Sequence, residues 1–495
     1  MIWYEDHKEV PEILRKIIAP LQQDVKKSLY LPKITSEDML IRYSVENFLS
    51  FNQRTEFSMI PGKGSLKKEH KAPAINGVSV LKTSIILGAN ASGKSNLIKA
   101  MSFGRFMVVK GFPAGQMIDY EKYRLNKSSA ESNSRMEFEI QADGKNYAYG
   151  FVFNNTRIVE EWLYEVTKRS EKKIFERNPQ FTGNYDLALL LKLNEKEEDR
   201  QFIRFTAKGT PDNQLFLREL IVRKVAENVS CLSDITSVYN WFLNTLKIVF
   251  PEDKYNVGLE SEVNDNERLN IIYKELLKYF GTGIVGVCLE DVEPSSVVIP
   301  DFILSGIKER LMNSKSENVR SILGLNNYTY VLSREGSGLK FQQLKTKHLT
   351  NEGKEVLFDT KDESDGTNRI IDLIPLLIDL IEGNNVFIID EMERSLHPNL
   401  IYDIFDLFLS SSSSQRSQLI VATHESSLLT QKLFRKDEIW FIVKDDNGTS
   451  HMHSLEDYNV RFDKEIRKDY LLGRFKAIPR IGNRYDLSLK LSKDA

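Results

Sequence analysis

Cysteine is nearly absent from this sequence. Only Cys231 and Cys288 occur in 495 residues, so the chain has no disulfide framework and no thiolate metal-ligand spacing, which fits a reducing cytosol. Charge imbalance is missing as well, since 68 Lys and Arg stand against 70 Asp and Glu, a net charge of -2. That excludes a globally basic protein that coats nucleic acid, while leaving a local basic patch open. There is no long uninterrupted apolar run either. The most apolar stretch, 370–389, is broken by Asp372, Asp379 and Glu382 and cannot face lipid as a spanning helix. The first residues lack the basic start and apolar run of a secretory leader, so a cytoplasmic protein with no membrane partner is expected. No heptad pattern persists, which excludes a long coiled-coil arm, and no internal repeat is visible. The composition, 41% hydrophobic and 28% charged, is that of a globular chain with ample core material.

Patterning divides the chain. Residues 9–29 carry Ile13, Leu14, Ile17, Ile18 and Leu21 at helical spacing, so 1–38 reads as a helical appendage. A strand pattern opens at Met39. Another strand, within 78–87, runs into a glycine-rich turn and then a helix at 95–106. Strands at 136–142, 145–153 and 158–167, the first two joined by Asp143-Gly144, predict an antiparallel meander. From 206 to 335 the pattern reads mostly as helix, at 214–228, 235–250 and 268–279. The last third alternates: helix 367–380, strand 386–389, helix 400–409, strand 418–423, then a hairpin of 438–443 and 450–454 around Asn447-Gly448. The expectation is an α/β fold with a lobe at 39–205, an inserted helical lid at 206–335 and a second lobe at 336–495.

Chemistry concentrates in a few places. Gly88-Ala89-Asn90-Ala91-Ser92-Gly93-Lys94-Ser95 matches the phosphate-loop pattern between a strand and a helix. Small residues such as Gly88, Asn90, Ser92 and Gly93 let backbone N–H groups curl around phosphate oxygens, and the helix N-terminus adds positive potential. Lys94 would reach the β- and γ-phosphates of ATP, and the Ser95 hydroxyl would ligate Mg2+. Val386-Phe387-Ile388-Ile389-Asp390-Glu391 is a buried strand ending in two carboxylates. Asp390 would hold the metal, and Glu391 would serve as general base toward water. Lys94 and Asp390 lie 296 residues apart, so an insertion must separate the two halves of the site. Strand 419–423 ends at His424, which has a structural reading and a phosphate-sensing one. His451 and His453 sit two apart on one strand face, a weak metal signal.

These residues carry a resemblance. Val45-Glu46-Asn47-Phe48-Leu49-Ser50-Phe51, Asp390-Glu391 with Ser395-Leu396-His397-Pro398, and Thr423-His424 resemble the motifs of ATPases of the ABC, SMC, RecF and OLD-like type. Ser364-Asp365-Gly366-Thr367, Asp437-Glu438-Ile439-Trp440-Phe441 and Gly473-Arg474-Phe475-Lys476-Ala477-Ile478-Pro479 resemble, more narrowly, the AAA-type abortive-infection ATPases, AbiL/RloA-like and PARIS-like. The resemblance covers about 39–482. It implies an ABC-type P-loop ATPase head with a mixed sheet and β meander, and a switch role for His424. It also implies a signature role in trans for Ser364 and Gly366, across a homodimer that sandwiches two ATP molecules. Asp365 departs from the usual signature, and by spacing alone the segment also has a reading as a helix cap. No glutamine finds a convincing metal-sensing context; Gln116 and Gln141 are the candidates.

The leading expectation is therefore an ATP-hydrolysing sensor or regulator in antiphage defence. Its effector, a nuclease or toxin, would come from a neighbouring gene, and a phage protein is a candidate trigger. No room is seen for a C-terminal nuclease domain of the OLD kind. Two alternatives stay open: a DNA-repair or chromosome-associated ATPase of the RecF type, and a scaffold that holds ATP with little turnover. The basic clusters Arg42, Lys63, Lys67, Lys68 and Lys168, Arg169, Lys172, Lys173 keep nucleic acid as a partner in view.

Overall fold

The structure, a computed structural model, describes residues 38–478 except 65, 194–195, 226–231, 254, 256–258, 298, 315–318, 326–327, 337, 412–415 and 459–465. The appendage read at 1–38 lies outside the described residues except for Asp38. Two compact units are present, and chain connectivity interleaves them. The first takes residues 38–248, 384–392 and 416–478, and the second takes 249–383 and 393–411.

Two sheets build the first unit. One is antiparallel, in the order β2 (Thr55–Ser58), β1 (Met39–Glu46), β4 (Ser134–Ala142), β5 (Lys145–Phe153), β6 (Ile158–Val166), β7 (Glu171–Arg177), β8 (Tyr185–Asp186). Alternation drives it: Met136, Phe138 and Ile140 are all at most 1% exposed while Arg135, Glu137 and Glu139 between them reach the surface. The other sheet runs β18 (Ser450–Ser454), β17 (Ile439–Lys444), β3 (Thr83–Leu87), β16 (Gln418–Thr423), β15 (Val386–Asp390), β9 (Leu246–Val249). Here β3, β15, β16 and β17 are parallel and β18 is antiparallel. β3, β15 and β16 are buried throughout, as continuous apolar runs in a covered parallel sheet must be. Helix α1 (Lys94–Val109) touches β15 and meets β4 at Gly104, where a Cβ would stand 2.7 Å from the Phe138 ring.

One polar side chain ties the sheets together. β1 carries a register shift between Leu40 and Arg42. There the buried Gln418 amide accepts from Leu40 N (2.6 Å) and donates to Leu40 O and Leu81 O (both 2.9 Å). The bulge therefore leaves its polar groups paired with a side chain from β16.

The mostly helical reading of 206–335 is corrected in two respects. First, the helices α2 (Glu197–Gly209), α3 (Phe216–Val222) and α4 (Ser233–Asn240) belong to the first unit. Glu161 of β6, fully buried, accepts from Phe216 N (2.6 Å) and Leu217 N (3.0 Å) at the start of α3, and the helix N-terminus favours that carboxylate. Second, the stretch read as helix 235–250 ends in a π turn at Trp241–Thr245 and becomes β9. The sequence Leu-Lys-Ile-Val has strand character, and an available sheet edge decides the matter.

The second unit is also mixed. α5 (Glu267–Tyr279) precedes β10 (Gly286–Asp291), and α6 (Asp301–Met312) precedes β11 (Arg320–Leu325), β12 (Tyr328–Glu335), β13 (Gly338–Leu349) and β14 (Glu355–Asp359). The strands form one antiparallel sheet, β10-β13-β12-β11, with β14 also on β13. Tyr330, Leu332 and Phe341 share one face and pack with Leu311, Leu304 and Ile307 of α6, while Val331 between the first two is buried as well, so no polar–apolar period of two shows in the sequence. α7 (Asp365–Glu382) and α8 (Pro398–Ser411) complete the unit. His397 opens α8: its Nδ1 accepts from Asn399 N at 3.3 Å, and Pro398 occupies the first turn.

Candidate nucleotide site

Three adjacent parallel strands, β3, β16 and β15, deliver the site at their C-terminal ends. Leu87 faces Thr423 and Ala422 faces Asp390 across the ladders, and Glu391 N extends that pairing to Ala422 O at 2.9 Å. Gly88, His424 and Glu391 therefore emerge at one level, where ligands of open α/β sheets bind.

The loop 88–95 is tightly backed. A Cβ on Gly88 would lie 2.5 Å from both Ile442 O and Ser92 Oγ, and one on Gly93 would lie 2.3 Å from Ser450 Oγ. Gly93 has φ 115° and Ala91 φ 61°, a left-handed path that spends glycine where the wall is closest. The Lys94 ammonium, 4% exposed, donates to Gly88 O (2.8 Å) and Ala89 O (3.1 Å). Asn90 is exposed and Ser95 half-buried on the first turn of α1. Backbone packed too closely for any side chain, with a cation folded over it, fits a triphosphate.

Lys94 Nζ also stands 3.3 Å from His424 Nδ1, and His424 Nε2 stands 3.6 Å from Glu391 Oε1. An ammonium only donates, so Nδ1 accepts, and the neutral ring carries its proton on Nε2, facing Glu391. Burial lowers the His424 pKa below 6.5, and the Lys94 charge lowers it further, against the pull of Glu391 and Asp390. Asp390, 2% exposed, closes β15 beneath Glu391. Among the described residues no cluster of three or more metal-type side chains occurs. Ser95 and Asp390 carry a hydroxyl and a carboxylate, the hard oxygen donors that Mg2+ takes beside phosphate. His451 instead meets Asp445, at 3.0 Å.

Ser364 and Gly366 lie in the second unit. Ser364 caps α7, its hydroxyl accepting from Thr367 N at 3.1 Å, so the capping reading is correct locally. A Cβ on Gly366 would meet Ser395 O at 2.8 Å, which seats the first turn of α7 on the segment that follows Asp390-Glu391. Asp365 is exposed, and Arg369 donates to Asp253 O. Gln141 is enclosed in the meander, donating to Val78 O and Asn146 Oδ1, so it serves the fold. Arg42, Lys172 and Lys173 meet Glu56, Glu165 and Glu176.

Sequence reasoning missed the wall behind the loop. Ser450 Oγ lies 2.6 Å from Ser92 O and 2.8 Å from Ser50 Oγ, and Asn96 Nδ2 donates to Ser50 Oγ at 2.9 Å. Ser50 stood within a recognised motif, but nothing in the sequence singles out Ser450. The other family-like motifs prove to be anchors. Buried Glu438 receives His70 Nδ1 at 2.9 Å, Asp437 accepts from Gly62 N, and Phe475 stacks on Phe441 at 4.8 Å.

A family model described as "AAA domain, putative AbiEii toxin, Type IV TA system" matches residues 84–189 and 192–430. The chain belongs to this family. As an AAA-domain chain of that family it is a P-loop ATPase-type protein, with the loop, the carboxylate pair and His424 inside the matched residues. Solved structures similar to it include an SMC head domain from Thermotoga maritima, at 12% identity over 84% of this chain and 98% of that one, with a TM-score of 0.33. An Smc head domain with an extended coiled coil, bound to the C-terminal domain of ScpA derived from Pyrococcus furiosus, is 12% identical over 89% of this chain and 100% of that one, with a TM-score of 0.34. Among curated proteins there is no match.

Proposed function

We propose that this chain binds and hydrolyses Mg-ATP and uses the cycle to switch a toxic partner protein in defence against phage. The observation that carries the reading is the run Lys94, His424, Glu391, with contacts of 3.3 and 3.6 Å at the ends of three neighbouring strands. Lys94 would hold the phosphates, Ser95 and Asp390 the metal, and Glu391 would take the proton of the attacking water. Neutral His424 keeps an N–H beside that carboxylate, in place to register whether a phosphate is present. Mg2+, when bound, would supply Lewis-acid stabilisation of phosphate charge.

The family's description as a putative toxin of a type IV toxin–antitoxin system supports a role beside a partner gene. Ser364 and Gly366, at the N-terminus of an 18-residue helix, would act on the ATP of a second copy. Nucleotide binding and phosphate release on the full chain test the enzymatic half. Lys94→Ala should abolish binding, and Glu391→Gln should bind while releasing phosphate at least about a hundredfold more slowly. Normal ATP binding by Lys94→Ala would sink the reading. The defence half predicts protection of cells that carry the gene with its neighbour, lost in Lys94→Ala. Equal protection by that variant would overturn it.

A further inference from the structure

Ser50 and Ser450 are 400 residues apart and meet directly behind the phosphate loop. Both are buried, at 7% and 0% exposure. Proton counting sets the direction of their bonds. Ser92 O can only accept, so the single Ser450 hydroxyl hydrogen goes to it, over 2.6 Å. The 2.8 Å contact between the two hydroxyls must then run from Ser50 to Ser450. Ser50 in turn accepts from Asn96 Nδ2 at 2.9 Å. The result is a continuous chain from the first turn of α1, through both hydroxyls, to the carbonyl just before Gly93, in which each bond polarises the next.

That carbonyl matters because a trans peptide holds its C=O and N–H on opposite sides, and no described peptide bond is cis. With Ser92 O drawn onto Ser450, the N–H of Gly93 points away from Ser450. Nothing larger than glycine fits at the junction, where a Cβ would stand 2.3 Å from Ser450 Oγ and 2.8 Å from Ser50 Oγ. The hairpin that carries Ser450 is itself fixed. Ser450 N donates to Ser50 O at 2.8 Å, and the Tyr123 hydroxyl donates to Asn447 O (2.6 Å) while accepting from Thr449 Oγ1 (3.0 Å).

We propose that Ser50 and Ser450 are positioning residues for nucleotide binding: their hydroxyl chain presets the Ser92–Gly93 peptide so that the Gly93 N–H faces the triphosphate. This rests on the reading of 88–95 as the triphosphate loop. Neither serine takes part in the chemistry, so the effect falls on affinity and leaves turnover alone.

The test is fluorescence titration of the full chain with mant-ATP and Mg2+, together with steady-state hydrolysis. Ser450→Ala leaves a buried carbonyl unpaired and should raise the Kd and KM about tenfold, with kcat within about twofold of the parent. Ser50→Ala removes the donor to Ser450 and should act in the same direction. Because the hydroxyls work in series, the double variant should be no weaker than about twice the worse single one. A purely structural role would instead lower the unfolding temperature of the nucleotide-free protein and leave the affinity of the folded fraction unchanged. That outcome, or affinities within twofold of the parent for both single variants, overturns the proposal. Lys94→Ala separates the two ideas. If it still binds mant-ATP, the reading of the loop fails; if it loses binding while both serine variants keep theirs, only the positioning role fails.

Discussion

Glu391 leaves β15 with φ 49°, a left-handed backbone that a glutamate adopts only under constraint. The sharp turn carries its side chain off the strand direction and places it 3.6 Å from His424. Such strain tends to collect where geometry serves chemistry. His424 should matter to turnover more than to binding, because its imidazole touches Lys94 and Glu391 while the loop makes its own cradle. His424→Ala is expected to lower kcat by about tenfold to a hundredfold, with mant-ATP affinity nearly unchanged. Its acid–base behaviour has a definite sign. Burial, then Lys94, lowers the pKa of the folded state below 6.5. The unfolded chain therefore holds this proton more tightly, and His424 contributes stability above about pH 6.5 that is lost as pH falls through its lowered value. NMR titration of the nucleotide-free protein should find its midpoint below that of an unfolded histidine; a higher midpoint would contradict the packing against Lys94. At this scale the loop, the carboxylate pair and His424 were legible because each sits at a strand end marked by a fixed residue type. Ser450 was not, because a serine on an edge hairpin carries no local signal.

Among the elements, those whose period matched their surroundings were read well. β5 and β18 were placed residue for residue by the turns Asp143-Gly144 and Asn447-Gly448, and β16 by its apolar run. The failures share a cause. β9 continues a helical stretch and is pulled into strand by a neighbouring sheet. β12 buries residues on both faces, and β13 mixes its buried positions with the half-exposed Lys340, Lys345 and Lys347, so neither shows the clean alternation that marks a strand in sequence. Long-range pairing decided both, and no window of sequence contains it. Gln418 gives the measurable case. Gln418→Leu removes the partner of Leu40 N and Leu40 O at the bulge and of Leu81 O, so it should lower unfolding free energy by about 3 kcal/mol, read from urea midpoints. Gln418→Glu should also be costly, because a buried carboxylate cannot donate to Leu40 O and Leu81 O.

For the whole molecule, one of the chain's crossings between the two units falls between Met392 and Glu393, directly after Asp390-Glu391. Ser364 and Glu391 are thus carried by different units. A dimer in which Ser364 meets the partner's nucleotide predicts two opposite variants. Glu391→Gln with Mg-ATP should shift native mass toward the dimer. Ser364→Arg, on an exposed cap, should hold the monomer while still binding mant-ATP. A Ser364→Arg chain that dimerises normally with ATP would remove the signature role. Nothing local announced this division, since its boundary runs through a motif that reads as continuous.

The order β18-β17-β3-β16-β15-β9 also governs when the protein can become active during synthesis. β3 leaves the ribosome early, but its partners in the ladder, β16 and β17, are encoded more than 300 residues later. Contacts so distant in sequence form slowly and last. A nascent or prematurely terminated chain would display the loop 88–95 without His424 or the Ser450 wall, and so without a working site. Fragments ending before β16 should therefore fail to retain mant-ATP even where the meander has folded. A copy that stops short of β16 would thus carry the phosphate-loop sequence and still hold no nucleotide.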